Sequence, residues 1–313
     1  MLAATALAQD SKKGFSYIGD THTTDNSLLS TNSPLKWYYN WSPYPNTNLI
    51  PANNLEFIPM IHGIDATQST QTEQAFSSLS SSSTHLLSFN EPDGTSGSGG
   101  SAITPEDAAK AYISYVVPFR NGTKGGGRKW KISHPATTGS PNGLTWLRNF
   151  NASCYKIDPK NGCPTDFVAA HWYGAFDGLA SWIGTLNEFY NTNSSSNQDL
   201  KIWVTEMALP QQSAQNTLAM MNETLPYLDK TDYVERYAWF GAFRSNSANE
   251  WTGDAVALFN KDGGLTNLGA LYMGSGYKKG QKGAGKDSAA VGVGSSMGLM
   301  VLAASCAVFF VVA

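Results

Sequence analysis

The chain has 313 residues, of which 41% are hydrophobic, 12% aromatic and only 14% charged, a balance that excludes global disorder. Its 21 basic and 24 acidic residues give a formal net charge of −3, which leaves no cationic excess for neutralising phosphates and excludes a nucleic-acid partner. Ser, Thr, Asn and Gly fill the place of charge, as suits an extracellular protein that handles neutral ligands such as sugars.

From the N-terminus, Met1–Ala8 is apolar and ends in Ala6-Leu7-Ala8, an A-x-A cleavage pattern. It reads as a partial or truncated signal peptide. Between residues 14 and 276, short apolar runs alternate with polar or helical stretches. The runs are Gly14–Gly19, Leu35–Asn40, Glu56–Ile61, His85–Asn90, Lys129–Ser133, Asp166–Trp172, Lys201–Glu206 and Arg236–Phe243. They are short, β-branched or aromatic and apolar almost throughout, like strands buried on both faces. Thr104-Pro105-Glu106-Asp107 opens a helix with an N-cap, a proline at the first position and early acids. Thr145–Asn149, Gly178–Tyr190 and Gln211–Leu228 are further helical segments. Eight strands with intervening helices predict an α/β fold, a single-domain (β/α)₈ TIM barrel over residues 14–276.

Two loops are low in complexity, Ser77–Ser83 and Gly94–Ser101. The second directly follows the fourth strand, where barrel enzymes build their sites, so it is expected to flank a ligand. Ala255–Leu268 reads as a hairpin around Lys261-Asp262-Gly263-Gly264. Residues 277–290 form a flexible linker, and 291–313 a spacer and hydrophobic tail. The last 17 residues, Met297–Ala313, carry no charge. Small residues, a spacer and such a tail make a GPI-attachment signal, with Ser288 as the expected attachment residue and membrane contact through the anchor. A retained C-terminal anchor is the alternative.

Cys154 and Cys163 bracket a turn-forming loop, and Cys306 lies in the tail. A local disulfide between Cys154 and Cys163 is expected in a secreted chain, two buried thiols being the alternative. Sequons at Asn40, Asn121, Asn151, Asn193 and Asn222 permit N-glycosylation there, with Asn40, at a strand end, expected unmodified. No second Cys pair, clustered His, phosphate-binding glycine loop or His-Glu-x-x-His motif is present, so neither a metal nor a cofactor is expected.

The informative residues end the strands. The fourth strand ends Asn90-Glu91-Pro92-Asp93 and the seventh Thr205-Glu206-Met207, so both glutamates reach the catalytic face of a barrel. Glycoside hydrolysis requires such a pair, one acid to protonate the leaving oxygen and one carboxylate to attack the anomeric carbon.

The segments YYNWSP (38–43), FIPMIHG (57–63), LLSFNEPD (86–93), HPATTGSPNGLTWL (134–147), AAHWYG (169–174), IWVTEMAL (202–209) and YAWFGAF (237–243) carry a resemblance. Together they resemble glycoside hydrolase family 128, the fungal alkali-sensitive-linkage-protein type of glycosyl hydrolase catalytic core, over residues 14 to 276. The resemblance implies a retaining, endo-β-1,3-glucanase-like hydrolase of the fungal cell wall, with β-1,3-glucan as its partner and a monomeric state. By it, Glu206 is the nucleophile, Glu91 the general acid/base, and Asn90 holds the sugar 2-hydroxyl. Tyr173 is placed to hydrogen-bond the nucleophile. His62, Asn40 and His171 are expected to bind hydroxyls, and Trp41, Trp172, Trp239 and Phe240 to stack on sugar rings.

Blander roles stand beside these. His62 and His171 also fit buried structural histidines, and Trp37 and Trp203 fit the core. Asp93 reads as loop-shaping, and Glu188, Glu223 and Glu235 as helix or strand-edge charges. Two other functions share the same residues: a glucan transglycosylase that remodels the wall, and a non-catalytic glucan-binding wall protein.

Overall fold

The structure, a computed structural model, describes residues 11–50, 55–67, 69–192 and 199–285. The expected signal segment, the Asn193 sequon, Ser288 and the hydrophobic tail lie outside the described residues. Eight strands occur in the expected places: β1 (Lys13–Ser16), β2 (Trp37–Tyr39), β3 (Glu56–Phe57), β4 (His85–Leu86), β5 (Lys131–His134), β6 (Phe167–Tyr173), β7 (Lys201–Ala208) and β8 (Val234–Trp239). Interleaved with them are α1 (Thr23–Ser30), α2 (Ile64–Thr67), α3 (Thr70–Ser78), α4 (Pro105–Ala111), α5 (Val117–Asn121), α6 (Pro141–Ile157), α7 (Phe176–Asn187) and α8 (Ala214–Lys230). Helix α9 (Asn267–Met273) follows β8. At α4 the Thr104 side chain accepts from the Asp107 N–H, as its sequence signature requires.

All neighbouring strands run parallel, in the order β3-β2-β1-β8-β7-β6-β5-β4. The sheet therefore curls, bringing its two end strands towards each other. Past those strands Met60 and Leu87 form a parallel bridge, and the Ile61 N–H donates to the Leu87 carbonyl at 2.9 Å. β3 and β4 are shorter than expected. Pro59 has no N–H to give a ladder, and Glu91 leaves the extended region with φ 38°. β8 ends at Trp239 rather than Phe243.

Side chains from the strands sort into two cores. One, of Trp37, Tyr39, Ile58, Met60, Leu87, Ala136, Phe167, Ala169, Trp203 and Ala238, fills the inside of the curl. The larger one lies between the sheet and the helices. Beneath the inner core, Glu56 joins His85 at 3.0 Å and Arg236 at 2.6 Å. Burial alone would raise the Glu56 pKa, but the His85 bond and the Arg236 charge bring it down to about 2. Cys154, in the last turn of α6, is disulfide-bonded to Cys163 with Cα atoms 5.3 Å apart, so the expected pair forms. The hairpin expected near Gly263 is held by an antiparallel bridge between Phe259 and Leu265.

Candidate active site

A strand irregularity places the carboxylate of β7. The β6–β7 ladder pairs Ala169 with Trp203 and Ala170 with Val204, then shifts so that His171 faces Glu206 and Tyr173 faces Ala208. Trp203 belongs to the inner core, and side chains alternate with a period of two. Unbroken alternation would turn Glu206 outward. The extra residue, Thr205, reverses that parity, so His171, Tyr173 and Glu206 all point into the curl.

Glu206 is 4% exposed and is held by three neutral donors. Tyr39 Oη and Trp41 Nε1 each donate to its Oε1 at 2.8 Å, and Tyr173 Oη donates to its Oε2 at 2.5 Å. Burial and the Glu206 charge raise the pKa of both tyrosines well above the ordinary value, so they stay protonated as donors. Trp41 reaches inward because its backbone is left-handed, φ 56°. Such a conformation costs a non-glycine residue about 1–3 kcal/mol.

Glu91 approaches from the end of β4. It is 7% exposed, and its Oε1 lies 2.9 Å from Nδ1 of the fully buried His171, whose Nε2 lies 3.5 Å from Glu206. One oxygen of each glutamate and a ring nitrogen of His171 all fall within 4.8 Å of one another. Burial raises the Glu91 pKa, and the Glu206 charge adds to this against the opposing effect of His171. Burial works against a charged His171, but Glu206 and Glu91 outweigh it and raise the His171 pKa. The cluster thus favours the protonated form of both Glu91 and His171.

The other expected site residues divide. Phe240 is buried beside the site, its ring centre 6.0 Å from that of Trp41 and 5.8 Å from that of Tyr173. His62 Nε2 lies 3.1 Å from the Gly99 carbonyl, and Asn90 Nδ2 donates to that same oxygen at 3.1 Å. His171 is 0% exposed, so it joins the two glutamates rather than offering a face to hydroxyls. Trp239 is likewise 0% exposed, and its Nε1 donates to the Val256 carbonyl at 2.9 Å. Its neighbour Ala238 faces the inner core, so Trp239 must face the helices and cannot stack on a ring. By the same alternation Trp172, between the inward His171 and Tyr173, packs against Gly139, Gly174 and Gly178. Its Nε1 donates to the Ala175 carbonyl at 3.0 Å, outside the carboxylate cluster. Asn40, next to the inward Tyr39, shapes a turn by donating to the Tyr44 carbonyl at 2.8 Å. Asp93 is loop-shaping: its carboxylate accepts from the Thr138 N–H at 3.0 Å and the Thr138 hydroxyl at 2.7 Å.

Two residues escape the sequence reading. Tyr39 ends β2 two residues after the inward Trp37, a parity that points it into the site. Trp251, half-buried in the loop after β8, packs edge-on against Tyr173 with ring centres 4.5 Å apart. No strand-end signal marks it, because it lies in a loop, which the Gln211 side chain holds by donating to the Trp251 carbonyl at 3.1 Å.

Residues 14–272 match the family described as Glycosyl hydrolase catalytic core. The chain is 30% identical over 273 residues to Alkali-sensitive linkage protein 1 of Schizosaccharomyces pombe, a match covering 84% of this chain and 44% of that protein. It thus spans less than half the length of that curated relative. A GH128 subgroup III curdlan-specific exo-β-1,3-glucanase from Blastomyces gilchristii, solved with glucose, is similar at 27% identity and a TM-score of 0.61, over 84% of this chain and 97% of that one. The fold is also shared with a GH128 subgroup VI exo-β-1,3-glucanase from Aureobasidium namibiae, with a TM-score of 0.68 at 23% identity, over 84% and 96% of the two chains. A match running from β1 through most of α9, on a sheet that gathers two strand-end glutamates, shows that the chain belongs to the glycosyl hydrolase catalytic core family, as a member of glycoside hydrolase family 128.

Proposed function

We propose that the chain is a retaining hydrolase of β-1,3-glucan, with Glu206 as nucleophile and Glu91 as general acid/base. The observation that carries this reading is the approach of one Glu91 oxygen and one Glu206 oxygen to within 4.8 Å. Retaining glycosidases hold their carboxyl groups about 5–5.5 Å apart, whereas inverting ones leave about 6.5–9.5 Å for a water molecule. Glu206 attacks the anomeric carbon as the glycosidic C–O bond breaks, and Glu91 gives its proton to the departing oxygen. Glu91, now a carboxylate, then takes a proton from water, whose oxygen displaces Glu206 and restores both groups.

The residues support each step. Tyr39, Trp41 and Tyr173 aim Glu206 through hydrogen bonds to its two oxygens, while burial favours the protonated form of Glu91. Trp41 and Trp251 line the rim and offer ring faces to a pyranose, with Phe240 packed beside Trp41. β-1,3-Glucan as substrate follows from the related glucanases and from family membership. Endo action is the mode the resemblance implies; the two solved relatives described above are exo-acting, so the lengths of curdlan products distinguish the modes. The proposal includes closure of the sheet as a full (β/α)₈ barrel, supported by the Met60–Leu87 bridge. It also includes action as a monomer, and secretion with GPI attachment at Ser288, which rests on the sequence and is tested by release from intact cells with a phosphatidylinositol-specific phospholipase.

The direct test is reducing-end release from laminarin, curdlan and a cellulose oligosaccharide by the full chain, beside Glu91→Gln and Glu206→Gln. Cleavage of the β-1,3 substrates alone, lost in both variants, is expected. Binding of laminarin without cleavage by the unsubstituted chain contradicts the proposal.

A further inference from the structure

The serine- and glycine-rich loop 94–101 folds back onto Glu91 instead of running into solvent. The Gly94 N–H donates to the Glu91 carbonyl at 2.9 Å, and the Ser101 N–H to the Asn90 carbonyl at 2.9 Å. Ser101 Oγ donates to that Asn90 oxygen at 2.7 Å. The Gly99 carbonyl is held from two sides, by Asn90 Nδ2 and by His62 Nε2, each at 3.1 Å. A carbonyl only accepts, so Nε2 of His62 carries the proton. A Cβ at Gly100 would lie 2.6 Å from the Glu91 carbonyl oxygen and 2.8 Å from the Gly94 carbonyl carbon. Only glycine lets the loop close so tightly. The contacts converge on the backbone of Glu91, a non-glycine residue standing at φ 38°, a conformation that persists only where its surroundings impose it.

We infer that loop 94–101 is a clamp that fixes the position of Glu91, and that His62 is a positioning residue acting on it through the Gly99 carbonyl rather than a ligand for sugar hydroxyls. Burial lowers the His62 pKa, which keeps the ring neutral with a single proton to give. This inference rests on Glu91 being the general acid/base.

The groups whose charges bear on Glu91 are His171 and Tyr173 on β6, Glu206 on β7, Tyr39 on β2 and Asp93 on its own loop. His62→Leu, His62→Gln and Gly100→Ala leave them all unchanged, so a moved Glu91 titration reports a moved Glu91.

In the full chain, His62→Leu and Gly100→Ala should lower kcat on laminarin by about 10- to 100-fold, as misplacement of a reacting group does, with KM changed less than about twofold. The basic limb of the kcat/KM profile should shift to lower pH, because a displaced Glu91 gains water. His62→Gln keeps an N–H donor and should recover most of the rate. An increase in KM alone for His62→Leu, with kcat and the basic limb unchanged, makes His62 a sugar ligand and overturns the inference. So does a His62→Gln variant no better than His62→Leu while both melt at the temperature of the unsubstituted chain. If the unsubstituted chain leaves laminarin intact, the glucanase reading fails separately. The ¹³C titration of the Glu91 carboxyl still tests the clamp, and a midpoint unchanged in both Gly100→Ala and His62→Leu overturns it.

Discussion

His171 and Glu206 face each other across the β6–β7 ladder because its register shifts by one residue between Ala170 and His171. The same imidazole holds Glu91 at 2.9 Å on its other side. A single buried ring thus lies between the two carboxylates, hydrogen-bonded to Glu91 and 3.5 Å from Glu206. The Glu206 charge raises the pKa of both its neighbours, Glu91 and His171.

Replacement of the acid should depend on the leaving group. Glu91→Gln is expected to lower kcat on laminarin by about 10²–10⁴-fold, the range contributed by general acid–base catalysis. On an aryl β-glucoside whose leaving group needs no proton, the glycosylation step should lose far less. Steady-state and burst kinetics on the two substrates measure this, and equal losses in glycosylation would speak against Glu91 as acid.

The pH profile follows from the raised Glu91 pKa. A general acid works while protonated, so kcat/KM should hold below that pKa and fall as pH rises through it, at a pH above the ordinary glutamate range. In Glu206→Gln one source of the elevation is gone, and the Glu91 carboxyl should titrate at lower pH by ¹³C NMR. The His171 pKa should fall in the same variant, since the Glu206 charge helps to raise it. Unmoved titrations in that variant contradict the assigned couplings.

The donors on Glu206 should matter one by one. Tyr39→Phe and Tyr173→Phe each remove a hydroxyl that bonds the buried carboxylate, an interaction of about 1.5–3 kcal/mol. A fall in kcat/KM of about 10- to 100-fold is expected for each, with a melting temperature lowered by a few degrees.

Trp239 and Trp251 should separate stability from binding. Trp239→Ala empties a fully buried position and should cost about 3–5 kcal/mol, read by denaturant unfolding. Trp251→Ala should raise KM for laminarin while leaving stability within about 1 kcal/mol. The opposite pattern would show that Trp239 faces the substrate.

The two glutamates were legible because each ends an apolar strand, and eight such strands in a βα alternation leave few folds to choose from. Tyr173 followed from the same strand-end rule. The errors are errors of side-chain parity. Trp172, Trp239 and Asn40 were expected on the ligand side because they stand at strand ends, although alternation beside the inward His171, Ala238 and Tyr39 turns them away from it. His171 was expected to bind hydroxyls and Tyr39 was passed over, while the face of Glu206 is decided by a bulge that leaves no mark on composition. Helix α1 was illegible for a different reason. Its Thr, Asp, Asn and Ser residues are weak helix formers, and tertiary partners sustain it: Asp25 pairs with Arg244 at 2.7 Å, and Asn26 donates to the Asp20 carbonyl at 2.8 Å.

The central claim, a double displacement through Glu206, is tested most directly by the anomeric configuration of the first product. Laminarin oligosaccharides are mixed with the full chain, and the newly formed reducing ends are followed by ¹H NMR before mutarotation. The β-anomer appearing first is the predicted result. The α-anomer appearing first would mean a single inverting displacement and would contradict the roles given to both glutamates.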